Sequence, residues 1–157
     1  MRFLTDIIRS DSENTVIEEV VVMLIQFTIE NHRSIKNSAV ISFAASKDKS
    51  LERYLLHPDE KKTLLPAIAI YGANAAGKSN VLHAMRTMKE MIVGDAAKAL
   101  KGQKLPWEPF GGNTEPTSFE IVFIYQGVRY AYGISFDERK IYTEYLYHWP
   151  NGREALI

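Results

Sequence analysis

The sequence predicts a mixed α/β fold, α+β in its arrangement, and three observations carry that prediction. A loop of small residues lies between a short apolar run and a helical pattern, in the stretch Ala67 to Met85. Two alternating segments precede it, starting at Leu24, and a longer alternating series follows from Phe119. Period-2 apolar residues line one face of a sheet and period-3.6 residues one face of a helix, so the two kinds of element separate by pattern.

Composition bounds the rest. A chain of 157 residues that is 46% hydrophobic is about one domain and can bury a core. Basic and acidic residues balance at 19 each, so no global field points to nucleic acid or an acidic membrane surface. The balance is uneven along the chain: before Met23, Arg2 and Arg9 face Asp6, Asp11, Glu13, Glu18 and Glu19, which leaves an excess of basic residues after it. Without cysteine there is no disulfide framework and no thiolate metal site, which fits a reducing cytoplasm. No apolar run approaches the roughly 20 residues that span a bilayer, and Asp6 interrupts the opening where a secretory signal would be unbroken. The expectation is a soluble cytoplasmic protein with no membrane partner.

Residues 1–22 read as an N-terminal extension, with Met23 as a candidate native start immediately before a strand-like run. The segment 23–157 then forms one unit. "LIQFTIEN" and "SAVISFAAS", joined by the polar "HRSIKN", predict a β-hairpin. In "KDKSLERYLLHPDEKKT", Leu51, Tyr54 and Leu55 have helical spacing that Pro58 ends, giving a surface connection. The run "LLPAIAIY" does not alternate, as expected of a strand buried on both faces. After the loop, Val81, Met85, Met88 and Ile92, with Leu82, Ala84 and Met91 beside them, predict a helix ending at Gly94. Residues 95–117 read as a loop with a short helix near Ala96 to Lys101. Phe119, Ile121, Phe123 and Tyr125, then Val128, Tyr130, Tyr132, Ile134 and Phe136, then "KIYTEYLYHW", predict an antiparallel meander over 118–157, with turns at Gln126-Gly127 and Asp137 to Arg139.

The loop spells Gly72-Ala73-Asn74-Ala75-Ala76-Gly77-Lys78-Ser79, which satisfies G-x-x-x-x-G-K-[ST] at every fixed position. At ordinary residue frequencies an accidental match is on the order of half a per cent, so the pattern carries chemical weight. A phosphate is held by backbone N–H groups turned inward, which requires the small residues seen here, and by the positive end of the helix behind them. Lys78 supplies a point charge for the β- and γ-phosphates, and the Ser79 hydroxyl a ligand for Mg²⁺. A glycine loop that merely turned strand into helix would need Gly72 and Gly77 but neither Lys78 nor Ser79. The expected ligands are ATP and Mg²⁺.

"GANAAGKSN", with Asn74 in the loop and Asn80 after it, resembles the Walker A motif of ABC-type AAA ATPases of the SMC, RecF and OLD-like group. The upstream "FTIENHRSI" is similar to the strand and N-F-R-S-F-like turn that open those proteins, with His32 in place of the aromatic. The closest flavour is that of bacterial phage-defence and abortive-infection ATPases. The resemblance implies a P-loop NTPase fold in which Arg33 and Ser34 lie near the nucleotide and the antiparallel lobe packs beside the ATP-binding core. It also implies a homodimer or higher oligomer formed through the nucleotide site, with DNA open as a partner.

The hydrolytic machinery of that group is not in view. No run of four apolar residues leads to Asp-Glu, and Asp137-Glu138 belong to a turn. There is no LSGGQ-like signature and no convincing switch histidine, so the chain reads as the N-terminal portion of a longer ATPase, with its catalytic residues unknown. Gln126 reads as a hairpin residue rather than a Q-loop glutamine. His32, His57, His83 and His148 are scattered, with no paired spacing for a further metal. The aromatic alternation reads as core rather than a stacking platform for single strands, and Lys98, Lys101 and Lys104 as a solvated face. Two alternatives remain open: a stand-alone ATP-binding module that does not hydrolyse, and another P-loop enzyme such as a small-molecule kinase.

Overall fold

The computed structural model describes residues 22–48, 50–59, 62–93, 104–150 and 155–156. Its main body is a six-stranded antiparallel sheet with one long helix on one face. Strand β1 (Val22–Glu30) pairs with β2 (Ala39–Ser42), and the small hairpin β3 (Leu56–Asp59) and β4 (Lys62–Leu64) follows. Helix α1 spans Lys78–Val93, and β5 (Thr117–Tyr125), β6 (Val128–Phe136), β7 (Ile141–Trp149) and β8 (Ala155–Leu156) form the meander. The strand order is β2-β1-β5-β6-β7-β8. Because β1 pairs with β5, the first hairpin and the meander are one continuous sheet rather than two separate lobes.

Alternation along the strands decides what is buried. Phe27 and Ile29 of β1, Phe119 and Phe123 of β5, and Tyr130, Tyr132, Ile134 and Phe136 of β6 share one face and meet Ala84, Met88, Met91 and Ile92 of α1. Register explains the shared face: Ile29 opposes Phe119, which opposes Ile134. Burying a large side chain of this kind contributes about 1.5–3 kcal/mol, so this seam is the main source of stability. Of the aromatic series, Phe119, Phe123, Tyr130, Tyr132 and Phe136 are core, whereas on β7 Tyr142 is exposed and Tyr145, Tyr147 and Trp149 are half-buried. The Gln126-Gly127 turn is tight, with both residues at positive φ, 48° and 74°, the geometry of a two-residue hairpin loop. At the next turn Asp137 Oδ1 accepts from the backbone N–H groups of Arg139 and Lys140 at 2.6 and 2.9 Å.

Four expectations change. The first is "LLPAIAIY": Leu64 ends β4, and Ala67 to Ile70 form no strand. Pro66 has no N–H to continue the ladder, and among the described residues no strand runs beside this segment. Ile70 and Tyr71 are exposed as a result, Tyr71 at 88%. The second is the helical spacing around Leu51, which yields only a 3₁₀ turn at Glu52–Tyr54. The chain is extended by Leu55 and enters β3, consistent with the extended bias that Pro58 imposes on His57. Third, Val22 belongs to β1 and opposes Tyr125, so the strand begins ahead of Met23. The fourth concerns α1 itself: Leu82 is exposed, and Thr87, which the apolar pattern omits, is buried. The rest of the extension and the helix expected near Ala96 to Lys101, with Lys98 and Lys101, lie outside the described residues. Lys104 pairs with Glu138 at 2.6 Å.

Among the described residues no helix is long and apolar enough to cross a membrane.

Candidate nucleotide-binding site

Helix α1 begins at Lys78, so the Gly72 to Gly77 loop sits directly over its N-terminus. That is where unpaired backbone N–H groups and the positive end of the helix dipole concentrate. The loop is exposed from Gly72 to Ala76. Ala75 and Gly77 adopt positive φ, 62° and 89°; Ala75 is tolerated there as a small residue, and Gly77 removes the Cβ altogether. The Lys78 ammonium folds back over the loop and donates to the carbonyls of Gly72 and Ala73 at 2.9 and 2.7 Å. Ser79 is the second residue of the helix and is exposed.

A second segment closes on this loop. The β1–β2 connection turns at Asn31 to Ile35, where His32 and Ile35 exchange backbone hydrogen bonds at 2.8 Å and Asn31 and Arg33 both have φ 51°. The turn presents Ser34 to the loop. Asn80 Nδ2 donates to Ser34 Oγ at 2.7 Å, and Arg33 Nη1 lies 3.5 Å from Asn80 Oδ1. A Cβ on Gly77 would lie 2.5 Å from Ser34 Oγ. Arg33 and Ser34, far from the glycine loop in sequence, are therefore its neighbours in space.

The turn is fixed from behind by Asn31, which is buried. Its amide donates to the carbonyls of Glu115 and Pro116 at 2.6 and 3.2 Å, its Oδ1 accepts from Phe110 N–H at 3.1 Å, and it exchanges reciprocal bonds with the Asn113 amide at 3.1 and 2.8 Å. The Asn31 carbonyl accepts from Thr117 Oγ1 at 2.6 Å. A side chain with its donors and acceptor all used is a specific clamp. It ties the turn to the segment between α1 and β5.

His32 packs into the core beneath the turn. Its ring is fully buried, edge-on to Phe119 at 5.3 Å and stacked on His83 at 5.4 Å. Burial first, then His83, pushes its pKa down from 6.5 to about 4, so it is neutral at pH 7. His32 Nε2 lies 3.2 Å from His83 Nδ1, which Thr87 Oγ1 also approaches at 3.3 Å. A proton assigned to His32 Nε2 satisfies this contact and leaves Nδ1, which has no partner, as a bare acceptor instead of a stranded N–H. The His83 Nε2 then carries the other proton and faces Glu108 Oε1 at 3.8 Å.

Sequence spacing misses this histidine pair because the partners are 51 residues apart and meet only when α1 docks on β1. It also misses Glu108, whose carboxylate takes Arg33 Nε at 2.7 Å and Nη2 at 3.2 Å. No local pattern marks Glu108; the flanking Pro106 and Pro109 are the only hint of a fixed backbone there. Among the described residues no group of three or more His, Cys, Asp or Glu is arranged to hold a metal ion. The Mg²⁺ implied by the loop needs fewer protein ligands, since it keeps water and phosphate oxygens. The residues present fit a bound nucleotide: a lysine folded over its own loop carbonyls, a hydroxyl at the helix start, and a glycine where a side chain would collide with Ser34.

A glycine loop closed by Lys78 and Ser79 at a helix N-terminus defines a protein of the P-loop class. Comparison with known families agrees, because residues 67–157 match a family of AAA domains, which are P-loop-type NTPases. The chain belongs to that family, described as "AAA domain, putative AbiEii toxin, Type IV TA system". The match starts just ahead of the glycine loop and runs through the meander; β1, β2 and the Asn31 to Ser34 turn precede it. Comparison with curated proteins gave no match.

Proposed function

We propose that this chain binds ATP with Mg²⁺ through Gly72 to Ser79, as the N-terminal part of an ABC-type ATPase of the SMC, RecF and OLD-like kind. The observation that carries the reading is the convergence of Ser34 and Arg33 on Gly77 and Asn80. Convergence of a second segment on the loop is what a ligand site needs and a simple strand-to-helix turn does not.

In this account Lys78 exchanges the Gly72 and Ala73 carbonyls for phosphate oxygens, and the loop N–H groups of residues 73–79 receive the remaining charge. The Ser79 hydroxyl would be the protein ligand of Mg²⁺, which would supply charge neutralisation at the phosphates. Asn80, Ser34 and Arg33 border the nucleotide on the side of the β1–β2 turn. Turnover draws on a carboxylate to polarise water, and Asp137 is committed to its own turn, so hydrolysis relies on Walker B and signature elements supplied from elsewhere. ATP held between two protomers would bring such elements together, and DNA is a candidate partner of the assembly. A phage-defence role fits the family description, which names a toxin of a type IV toxin–antitoxin system.

A second reading has its own support. Because Asp137-Glu138 form a turn rather than the end of a strand leading into a helix, the described residues also suit a module that holds ATP without hydrolysing it. The continuous antiparallel sheet disfavours a small-molecule kinase, whose strands and helices alternate.

Photocrosslinking with an azido-ATP analogue in Mg²⁺, followed by peptide mapping, tests the site. Label on peptides from the Gly72 to Asn80 loop or the Asn31 to Ser34 turn, lost with excess ATP, is expected. Label confined to the meander would contradict the proposal.

A further inference from the structure

We propose that Glu108 is a positioning residue for the nucleotide site, acting through Arg33; the inference rests on the reading of Gly72 to Ser79 as that site. The guanidinium has two usable edges. Glu108 takes the Nε and Nη2 edge with both carboxylate oxygens, at 2.7 and 3.2 Å, which leaves Nη1 turned toward Asn80 at 3.5 Å. A fork-to-fork contact fixes the plane and rotation of an arginine, which a single hydrogen bond does not.

Glu108 is itself fixed. Its carbonyl accepts from Arg33 N–H at 2.8 Å, so the two residues are joined by backbone as well as side chain. On one side Leu105 is buried in the core, its N–H bonded to the Glu138 carbonyl at 2.9 Å; on the other, Phe110 N–H is bonded to Asn31 Oδ1. The carboxylate therefore has a defined position relative to the turn. The hydrogen bond from Arg33 lowers its pKa, and His83 adds a weaker pull in the same direction.

Stability does not explain the pair. Both side chains are partly exposed, at 34% and 48%, and exposed ion pairs add little to folding. What the pair does control is the direction of Arg33, one side chain away from the glycine loop. Without Glu108, Arg33 is a long side chain with many rotamers, and its ordering must then be met on ligand binding.

The test uses the full chain, a fluorescent ATP analogue with Mg²⁺, and a double-mutant cycle. Glu108→Gln is expected to weaken binding about fivefold, Arg33→Ala at least as much, and the double variant no more than Arg33→Ala alone. Glu108→Asp, which keeps the charge but not the reach, falls between wild type and Glu108→Gln. In ¹⁵N NMR the Arg33 Nε–H is slowly exchanging in the wild type and fast in Glu108→Gln, with the sheet amides unchanged. Losses that multiply in the double variant, binding by Glu108→Gln within twofold of wild type, or an unaltered Arg33 signal would overturn the proposal while leaving the nucleotide site standing. Wild-type protein that does not bind, or binding indifferent to Lys78→Ala, would overturn both.

Discussion

Asn80 donates its side-chain N–H to Ser34 Oγ at 2.7 Å across 46 residues of sequence, joining the first turn of the helix behind the glycine loop to the β1–β2 connection. The loop is thereby part of a two-segment structure, and changes in either segment should be felt by the other.

Gly77→Ala is expected to cost roughly 1–2 kcal/mol, because φ 89° is outside the range an L side chain adopts comfortably. The added methyl also displaces Ser34 Oγ and with it the bond to Asn80. Ser34→Ala relieves the collision but not the backbone conformation, so Gly77→Ala should remain destabilising in a Ser34→Ala background. Urea unfolding of the four proteins measures this; full recovery in the double variant would show that sterics alone set the cost.

Asn31→Ala removes a buried amide that makes five hydrogen bonds to four residues, two with the Asn113 side chain and one each with the backbone of Phe110, Glu115 and Pro116. The unfolding free energy should fall by about 2–4 kcal/mol, since the carbonyls and N–H left behind have lost their partner. Amide hydrogen exchange should rise at Phe110 and at the Arg33 turn before it rises in β6. Uniform loss of protection across the sheet would argue that Asn31 is not a local clamp.

Acid should destabilise the fold through His32. Its folded pKa, about 4, lies below the unfolded value of 6.5, so the unfolded chain takes up the proton first as pH falls. The stabilisation is complete above about pH 6.5 and is lost on the way down to pH 4, by which point the loss amounts to about 3 kcal/mol. His32→Phe, which keeps an aromatic against Phe119, should flatten this part of the stability profile relative to wild type. Parallel profiles over that range would place the acid sensitivity elsewhere.

Phosphate release from ATP by this chain should stay at background, because among the described residues Asp137 is committed to its own turn and Glu108 to Arg33. A steady rate that scales with protein concentration and disappears in Lys78→Ala would identify a catalytic group within the chain and remove the need for one from elsewhere.

The parts legible in the sequence were those set by local periodicity and by fixed spacing. Phe119 to Phe136 alternate because one face of β5 and β6 meets α1, and the small residues from Gly72 to Gly77 lead as a loop into a helix that begins at Lys78. Ala67 to Ile70 misled because a non-alternating apolar run specifies burial, while forming a strand also requires a neighbour to pair with. Leu51, Tyr54 and Leu55 misled because three residues at helical spacing cannot outweigh a proline that favours extended backbone just beyond them. The contacts of Glu108, His83 and Asn113 were invisible for another reason. Each meets its partner only after β1, α1 and the segment before β5 have assembled, and nothing in the neighbouring residues encodes that.

The central claim is that Gly72 to Ser79 holds a nucleoside triphosphate, and calorimetric titration of Mg-ATP into wild type and Lys78→Ala tests it most directly. Weak but saturable binding to the wild type, reduced more than about tenfold in the variant with an unchanged fold, is the predicted result; equal affinity in the two proteins would contradict the account.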